Sequence, residues 1–509
     1  MDFSTDHIPL DDEKTWELLR SGYTAGVFQC ESKLVQSWLR KVKPSNFWEL
    51  SAVISIVRPG PLMSGYADKY AYNKDYPDLI LKTGNQIVDD IMMSTNSVIC
   101  YQEQLLQLAT RLAWVHLPEQ EKLIKADNLR KAVGKKNQEK ILEIGNEFVD
   151  GCLHNGVDKK LADELFDLIK KSGRYAFNLS HSMTYAYLAY KTAFLKANFP
   201  LQFLVVYLSY AKFKLKKWDE IFKFVNEAKI FGIEILGPNI NQKNPEFFIN
   251  RSDNNIIFGL SSIKYVSQNN AAFIQQLPET IDSIYKFILL SCTPYYGLQL
   301  RSNTIEALIV SGAFRDLKIP RKSLLNLFKF LQELNDKQIN RLAILQKDND
   351  DIVQNIKTII SEVKLKKSKE KFEGYLHFLN MAEYDDPAWI GNMEKVHLGV
   401  QITASSLDKK DNDHLHKCIN CVEDVQLYTN LRVGVIIDKI KATKTKKGEN
   451  PGKDMAIIKV HDDSSEIESL PIFPDLYENC CHLLIENNTV ILDLCKKKNG
   501  WVVENLTQL

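Results

Sequence analysis

Over the first 230 residues, apolar positions recur at the three-to-four-residue spacing of helices that bury one face, with Pro and Gly marking the turns between them. Asp11, Asp12 and Glu13 stand ahead of Trp16, Leu18 and Leu19, an acidic start that suits a helix N-terminus. Residues 101–114 read as one amphipathic helix, and Ser180 and Ser182 read as caps for a long helix ending near Phe199, before Pro200. Pro59-Gly60-Pro61 reads as a rigid break, since each proline fixes φ and removes a donor. From 231 to 330 the texture changes to short β-like pieces, such as 256–260, between helices, such as 301–313. Residues 321–375, rich in Lys, Glu and Asn, are expected to be helical, and 408–413 to be an exposed linker. Beyond 430 the period becomes that of strands: Val433, Val435, Ile437 and Ile440 approximate the alternation, and 455–460 and 489–494 are further strands. Five short strands over such a length fit a small barrel of the OB type. The fold class expected is therefore multidomain, mainly α at first, then α+β, and finally an all-β barrel.

Composition narrows the class without naming a function. The chain has 509 residues, enough for several domains, and its 45% hydrophobic and 25% charged content is that of an ordinary globular protein. No apolar run approaches the ~18–20 residues of a membrane span, and the N-terminus lacks the basic start and apolar core of a secretory signal, so no membrane partner is expected. Nine cysteines show no disulfide spacing, which points to a reducing cytoplasm. The net charge of +1 excludes a uniformly basic nucleic-acid binder but leaves room for local clusters. One comprises Lys122, Lys125, Arg130, Lys131, Lys135, Lys136 and Lys140; another comprises Lys439, Lys441, Lys444, Lys446, Lys447 and Lys453. Either cluster taken alone reads as a solvated face. His414, His416, Cys418 and Cys421 have zinc-ligand chemistry, but their spacing is cramped and no second pair follows, so no zinc is expected.

Six blocks in order change this picture. They are residues 8–12 with Gly26-Val27-Phe28-Gln29-Cys30-Glu31-Ser32; Val57-Arg58-Pro59-Gly60-Pro61-Leu62; Tyr101-Gln102-Glu103-Gln104; Leu129-Arg130-Lys131-Ala132-Val133-Gly134-Lys135-Lys136; Phe177-Asn178-Leu179-Ser180-His181-Ser182; and Tyr185-Ala186. Together they resemble the C-family bacterial replicative DNA polymerase, the DNA polymerase III alpha subunit, from its fingers to its OB-fold. The resemblance implies fingers at 1–230, a helix-hairpin-helix region at 231–330, a helical connecting, clamp-binding-like region at 331–429 and an OB-fold at 430–509. It implies template-directed DNA synthesis, with primer-template DNA and deoxynucleoside triphosphates as partners, and a sliding clamp as a further one.

By this motif match Arg58, Arg130, Lys131, Lys135 and Lys136 would meet the triphosphate or template backbone, where Arg suits bidentate phosphate contact. Gly134 would let the backbone approach phosphate, and Gln29, Gln102 and His181 would hydrogen-bond near the nucleotide. Lys444, Lys446, Lys447 and Lys453 would line the first hairpin loop of the OB barrel and bind DNA, with Trp501 as a stacking or a core ring. Tyr187, Tyr190 and Phe194 share one helix face and read as core.

Four departures from the family pattern matter. The palm aspartates that hold Mg²⁺ in two-metal polymerisation precede the first block in the family, and no palm-like Asp-x-Asp stands ahead of Ile8. The expectation is that another, palm- and PHP-bearing chain or a missing segment binds the Mg²⁺, that this chain contributes no catalytic residue and is inactive alone, and that it is a split or viral version. A non-catalytic DNA-binding or decoy protein derived from a polymerase is the alternative. Leu179 stands where the family has Lys. Tyr265-Val266-Ser267 replaces a Gly-hydrophobic-Gly hairpin, which predicts weaker duplex binding there. No clean copy of the clamp-binding peptide lies between 330 and 400.

Overall fold

The computed structural model describes residues 4–134, 138–173, 175–277, 280–292, 300–349, 351–362, 370, 373, 385–404, 430–445, 451–462, 466–486, 488–497 and 500–508. Residues 408–413 and the His414–Cys421 histidines and cysteines considered for zinc lie outside these. The chain divides into two compact units, Met1–Phe203 and Leu204–Leu509.

The first unit is helical: α1 (Glu13–Ser21), α2 (Lys33–Val42), α3 (Phe47–Ile56), α4 (Pro59–Met63), α5 (Tyr66–Asp75), α6 (Gln86–Met93), α7 (Gln102–Leu108), α8 (Glu119–Gly134), α9 (Gln138–His154), α10 (Lys159–Ser172) and α11 (Leu179–Asn198). Local chemistry starts several of them. Asp12 caps α1, its carboxylate accepting from the Thr15 amide at 2.9 Å. Asn46 caps α3 through the Glu49 amide, and Asn85 caps α6. Two hydrophobic assemblies hold the unit. In one, α11 lies against α1 and α3, with Tyr190, Ala186 and Ala189 buried beside Trp16 and Leu19. In the other, α6 to α10 close around Phe148, Leu108, Trp114 and Ile169.

Three local expectations are corrected. The long helix begins at Leu179 and is capped by Asn178, whose side chain accepts from the His181 amide at 2.9 Å. Ser180 is therefore inside the first turn, and Ser182 is buried rather than capping. Residues 101–114 do not make one regular helix. α7 runs into a π-helical turn over Ala109–Ala113. Asn155 donates to the carbonyls of Leu112 and Ala113, at 2.9 and 3.2 Å, which satisfies groups the widened turn leaves over. Pro59-Gly60-Pro61 separates α3 from α4 but itself forms the first turn of α4. Pro59 sits at N1, where a proline costs no hydrogen bond.

In the second unit, α12 (Pro200–Ala211), which begins in the first unit, and α13 (Lys217–Ile230) lead to a three-stranded sheet of β1 (Ile235–Leu236), β2 (Phe248–Asn250) and β3 (Asn255–Ile257), in the order β1-β3-β2. Then follow α14 (Gln268–Gln276), α15 (Ile284–Cys292), α16 (Ser302–Val310), α17 (Arg321–Leu331), α18 (Asp336–Asp348), α19 (Ile352–Ser361) and α20 (Pro387–Leu398). The turn ahead of α14 keeps a left-handed residue without glycine: Tyr265 has φ 68°. The turn after α16 has Gly312 at φ 83°.

The chain ends in a five-stranded antiparallel sheet of β4 (Asn430–Lys444), β5 (Asp454–His461), β6 (Glu466–Ile472), β7 (Thr489–Lys497) and β8 (Gly500–Gln508). Its order is β6-β5-β4-β7-β8. The edge strands β6 and β8 also meet, which closes the sheet, and α21 (Pro474–Cys480) packs against β5 and β8. A long first strand paired with the second and the fourth is OB-fold topology. Alternate residues point inward: Leu431, Val433, Val435 and Ile437 of β4, Ala456, Ile458 and Val460 of β5, and Val490, Leu492 and Leu494 of β7. Trp501 packs against this core, with the Lys496 ammonium 5.7 Å from its ring. Among the described residues, no helix is long and apolar enough to cross a membrane.

Candidate nucleotide-binding site

Three chain segments that are far apart in sequence meet between α3, α7 and the start of α11. The Phe177 amide donates to the Cys100 carbonyl at 2.9 Å, and the Gln102 amide donates back to the Phe177 carbonyl at 2.8 Å. This short pairing ties the segment before α7 to the segment before α11. The Gln102 side chain extends it, donating to the Ala176 carbonyl at 3.1 Å. On its other side its amide oxygen accepts from Arg130 at 3.3 Å. Glu103 completes the tie by accepting from the Leu179 amide at 2.9 Å and from Asn178 at 3.0 Å.

Arg58 joins from the end of α3. Its guanidinium lies over the Phe177 ring, 3.6 Å from the centroid, while its Nε donates to the Ile54 carbonyl at 3.4 Å. Burial pulls the guanidinium down from its ordinary value, with Tyr185 acting in the opposite sense. The aromatic line continues along α11. Phe177 stands edge-on to His181 at 5.3 Å, His181 lies 4.0 Å from Tyr185, and Tyr185 lies 5.2 Å from Phe28. His181 is exposed.

The loop holding Phe28 and Gln29 is pinned by α11. The Phe28 amide donates to Thr192 Oγ1 at 3.0 Å, and the Lys196 ammonium, fully buried, donates to the Ala25 carbonyl at 2.6 Å. Gln29 has φ 61°, a left-handed backbone that glutamine adopts only when its surroundings hold it. Gln29 is exposed next to Phe28.

Arg130 and Lys131 share one counter-ion on α8. Arg130 donates to Asp127 at 2.7 and 2.9 Å, and Lys131 pairs with the other carboxylate oxygen at 2.6 Å. Their hydrogen bonds hold the Asp127 carboxyl below the usual range against the small effect of burial. Gly134 ends α8 in the open, with nothing within 4 Å of where a Cβ would stand.

Of the residues that the motifs nominate, Gln29, Arg58, Gln102, Arg130 and His181 fall on this one connected surface. Lys131 and Gly134 lie further along α8. Lys135 and Lys136 lie outside the described residues, as do Lys446 and Lys447. Lys444 and Lys453 belong to the second unit, at the two ends of the β4–β5 connection, where Lys444 pairs loosely with Asp454 at 3.6 Å. Sequence reasoning missed Phe177, Tyr185 and Phe28, whose rings link the polar groups. The spacing of His181 and Tyr185, one helical turn apart, was the available signal. A cleft of about 640 Å³ adjoins this surface through Glu103 and Leu179; its lining, which includes Trp48, Glu49, Tyr70 and Arg111, holds none of the nominated cations.

The Mg²⁺ that the resemblance implies does not fit the side chains described. Among the described residues, no group of three or more His, Cys, Asp or Glu is placed to hold a metal ion. No chemical step is therefore assigned to a metal on this chain.

Residues 1–156 match the family described as "Bacterial DNA polymerase III alpha subunit finger domain", and residues 232–324 match "Helix-hairpin-helix motif". The chain is 30% identical over 485 residues to the DNA polymerase III subunit alpha of Aquifex aeolicus, covering 95% of this chain and 37% of that protein. It is 29% identical to the proteins of the same name from Buchnera aphidicola of Schizaphis graminum and from Staphylococcus aureus. Those matches cover 98% and 99% of this chain, and 41% and 43% of theirs. The chain thus spans about two fifths of the length of these relatives. With its helical first unit, its helix-hairpin-helix region and its terminal OB barrel, the chain belongs to the bacterial DNA polymerase III alpha-subunit family and is similar to it from the fingers to the OB-fold.

Proposed function

We propose that this chain holds the incoming deoxynucleoside triphosphate and the primer-template during template-directed DNA synthesis. The observation that supports this reading most is the continuous surface from Arg130 through Gln102 and Phe177 to Arg58 and His181. Four sequence blocks converge on it. Arg58, Arg130 and Lys131 would meet phosphate oxygens, with Lys135 and Lys136 following on the same segment. An arriving triphosphate competes with Asp127 for Arg130 and Lys131, so the cations stay paired until substrate replaces a one-carboxylate partner. Gly134, without a side chain, leaves room for a phosphate beside the helix end. Gln29, Gln102 and His181 supply hydrogen-bonding groups around the nucleotide. Lys444, Lys446, Lys447 and Lys453 would meet the DNA backbone at the barrel's first hairpin.

The carboxylates and Mg²⁺ of the chemical step are proposed to belong to a palm outside these 509 residues. Relatives more than twice as long as the matched portion leave ample chain for one. The sliding clamp is a proposed further partner.

Primer extension with Mg²⁺ and deoxynucleotides tests the proposal, using this chain alone, a palm-bearing polypeptide alone, and the two together. Synthesis is expected only from the pair, and replacing Arg58 or Arg130 should lower it. No chain-dependent extension sinks the reading. Unchanged synthesis after replacing Arg130, Lys131, Lys135 and Lys136, with DNA binding retained, would favour a DNA-binding protein derived from a polymerase instead.

A further inference from the structure

Behind the candidate site lies a knot of hydroxyls that packing alone does not require. Ser182 of α11 is fully buried, and its Oγ lies 2.9 Å from Ser51 Oγ and 2.6 Å from Ser55 Oγ, both on α3. The Ser51 carbonyl also lies 2.9 Å from Ser182 Oγ. The Tyr101 hydroxyl, just ahead of α7, donates to Ser51 Oγ at 3.0 Å, and Ser55 Oγ donates to the Ser51 carbonyl at 2.8 Å. All four residues are at most 4% exposed.

Apolar contacts between helices tolerate small slips, whereas a shared hydrogen-bond cluster is satisfied at one register only. Three of the four members stand close in sequence to a candidate nucleotide contact. Ser182 follows His181, Tyr101 precedes Gln102, and Ser55 lies three residues before Arg58 on the segment whose Ile54 carbonyl accepts from that arginine. One hydroxyl cluster therefore fixes the three segments that bring these contacts together.

We propose that Ser182, with Ser51, Ser55 and Tyr101, is a positioning residue that sets Arg58, Gln102 and His181 at the spacing the nucleotide requires. This rests on the nucleotide-binding reading above. Ser182 does not touch the nucleotide. It acts through the helix register, so its loss should weaken the grip on the nucleotide more than it slows the step after binding.

The test uses Ser182→Ala and Tyr101→Phe in the full chain, paired with the palm-bearing polypeptide. The expected result is a KM for deoxynucleotides raised about tenfold in Ser182→Ala and severalfold in Tyr101→Phe, with kcat within about twofold. Ser182→Cys, which keeps a small polar group, should recover part of the loss. A lower melting temperature with unchanged KM in both variants would make the cluster a core staple and overturn the proposal. If Ser182→Ala does not fold, Tyr101→Phe decides, because it keeps the ring and removes one hydroxyl. The imidazole resonances of His181 in isotope-labelled chain give an independent readout and are expected to shift in both variants. If the wild-type pair makes no DNA, the functional reading fails by itself. Unmoved His181 resonances would then refute the positioning role separately.

Discussion

The guanidinium of Arg58 lies flat enough over Phe177 to bring its central carbon within 3.6 Å of the ring centroid. This joins the end of α3 to the segment before α11 with a cation whose other donors find no hydrogen-bond partner among the described residues. The carbonyl of Ile54 takes only its Nε, at a long 3.4 Å. A stacked guanidinium loses less freedom when it binds an anion than one on a loose side chain, which suits it to recognise phosphate.

Replacing Phe177 with Leu keeps apolar volume and removes the ring face. A cation–π contact is worth roughly 0.5–2 kcal/mol, so the nucleotide KM should rise between about twofold and thirtyfold in primer extension by the reconstituted pair. Arg58→Lys should behave similarly, since it keeps the charge but loses the planar fork. An unchanged KM in both would remove Arg58 from the site.

Tyr265 holds a left-handed φ of 68° in the turn before α14, with its ring about half exposed and edge-on to His397 at 6.3 Å. For a residue with a Cβ that backbone costs roughly 1–2 kcal/mol, which Gly would not incur. Tyr265→Gly should therefore leave stability nearly unchanged, the backbone gain offsetting the lost ring contact, whereas Tyr265→Val should cost about 1–2 kcal/mol in urea unfolding. Duplex DNA affinity of the Gly variant should rise, because bare hairpin amides can approach a phosphate. Equal affinity in a salt titration would show that Tyr265 does not obstruct the duplex.

Glu394 is fully buried on α20. It accepts from Arg321 at 2.8 Å and from the amides of Ile402 and Thr403 at 2.7 and 2.8 Å. Arg321 in turn donates to the Val310 carbonyl at 3.1 Å and lies where a Cβ on Gly312 would fall. Glu394→Ala strands a partly buried guanidinium and two amides, and should cost about 3–5 kcal/mol in urea unfolding. A loss below about 1 kcal/mol would mean that water replaces the carboxylate.

Asp438 of β4 sits between Lys395 of α20, which pairs with it, and His461 of β5, whose Nδ1 is 3.1 Å away. Burial pushes the carboxyl up, but the hydrogen bond and charge of His461 and the ammonium of Lys395 outweigh it and bring it to about 2. A folded-state value below the unfolded one means the unfolded chain binds the proton first on acidification. The stabilisation is therefore complete above the unfolded value near 4 and is lost as pH falls towards 2. It amounts to about 2 kcal/mol. Asp438→Asn should be less stable at neutral pH, and its unfolding free energy should fall less steeply than the wild type's between about pH 4 and 2. Parallel acid limbs would contradict the assignment.

The barrel was legible because a strand with one buried face must alternate. Val433, Val435 and Ile437 point inward as their spacing requires. The start of α1 was legible for the same local reason, an Asp12 carboxylate within reach of its own helix amides. Ser182 was not. A serine near a helix start reads as a cap, and only the packing of α11 on α3 turns it inward to Ser51 and Ser55. The π-turn after α7 was equally hidden, since the Asn155 that donates to its carbonyls stands in the turn just past α9. Motif order alone nominated Arg58, Gln102, Arg130 and His181, because each residue type and its neighbours are local properties of the chain. Their meeting around Phe177, and Tyr185 as a link, were decided by the tertiary structure. Ring contacts and shared hydrogen bonds depend on distances between segments more than a hundred residues apart, which no local pattern encodes.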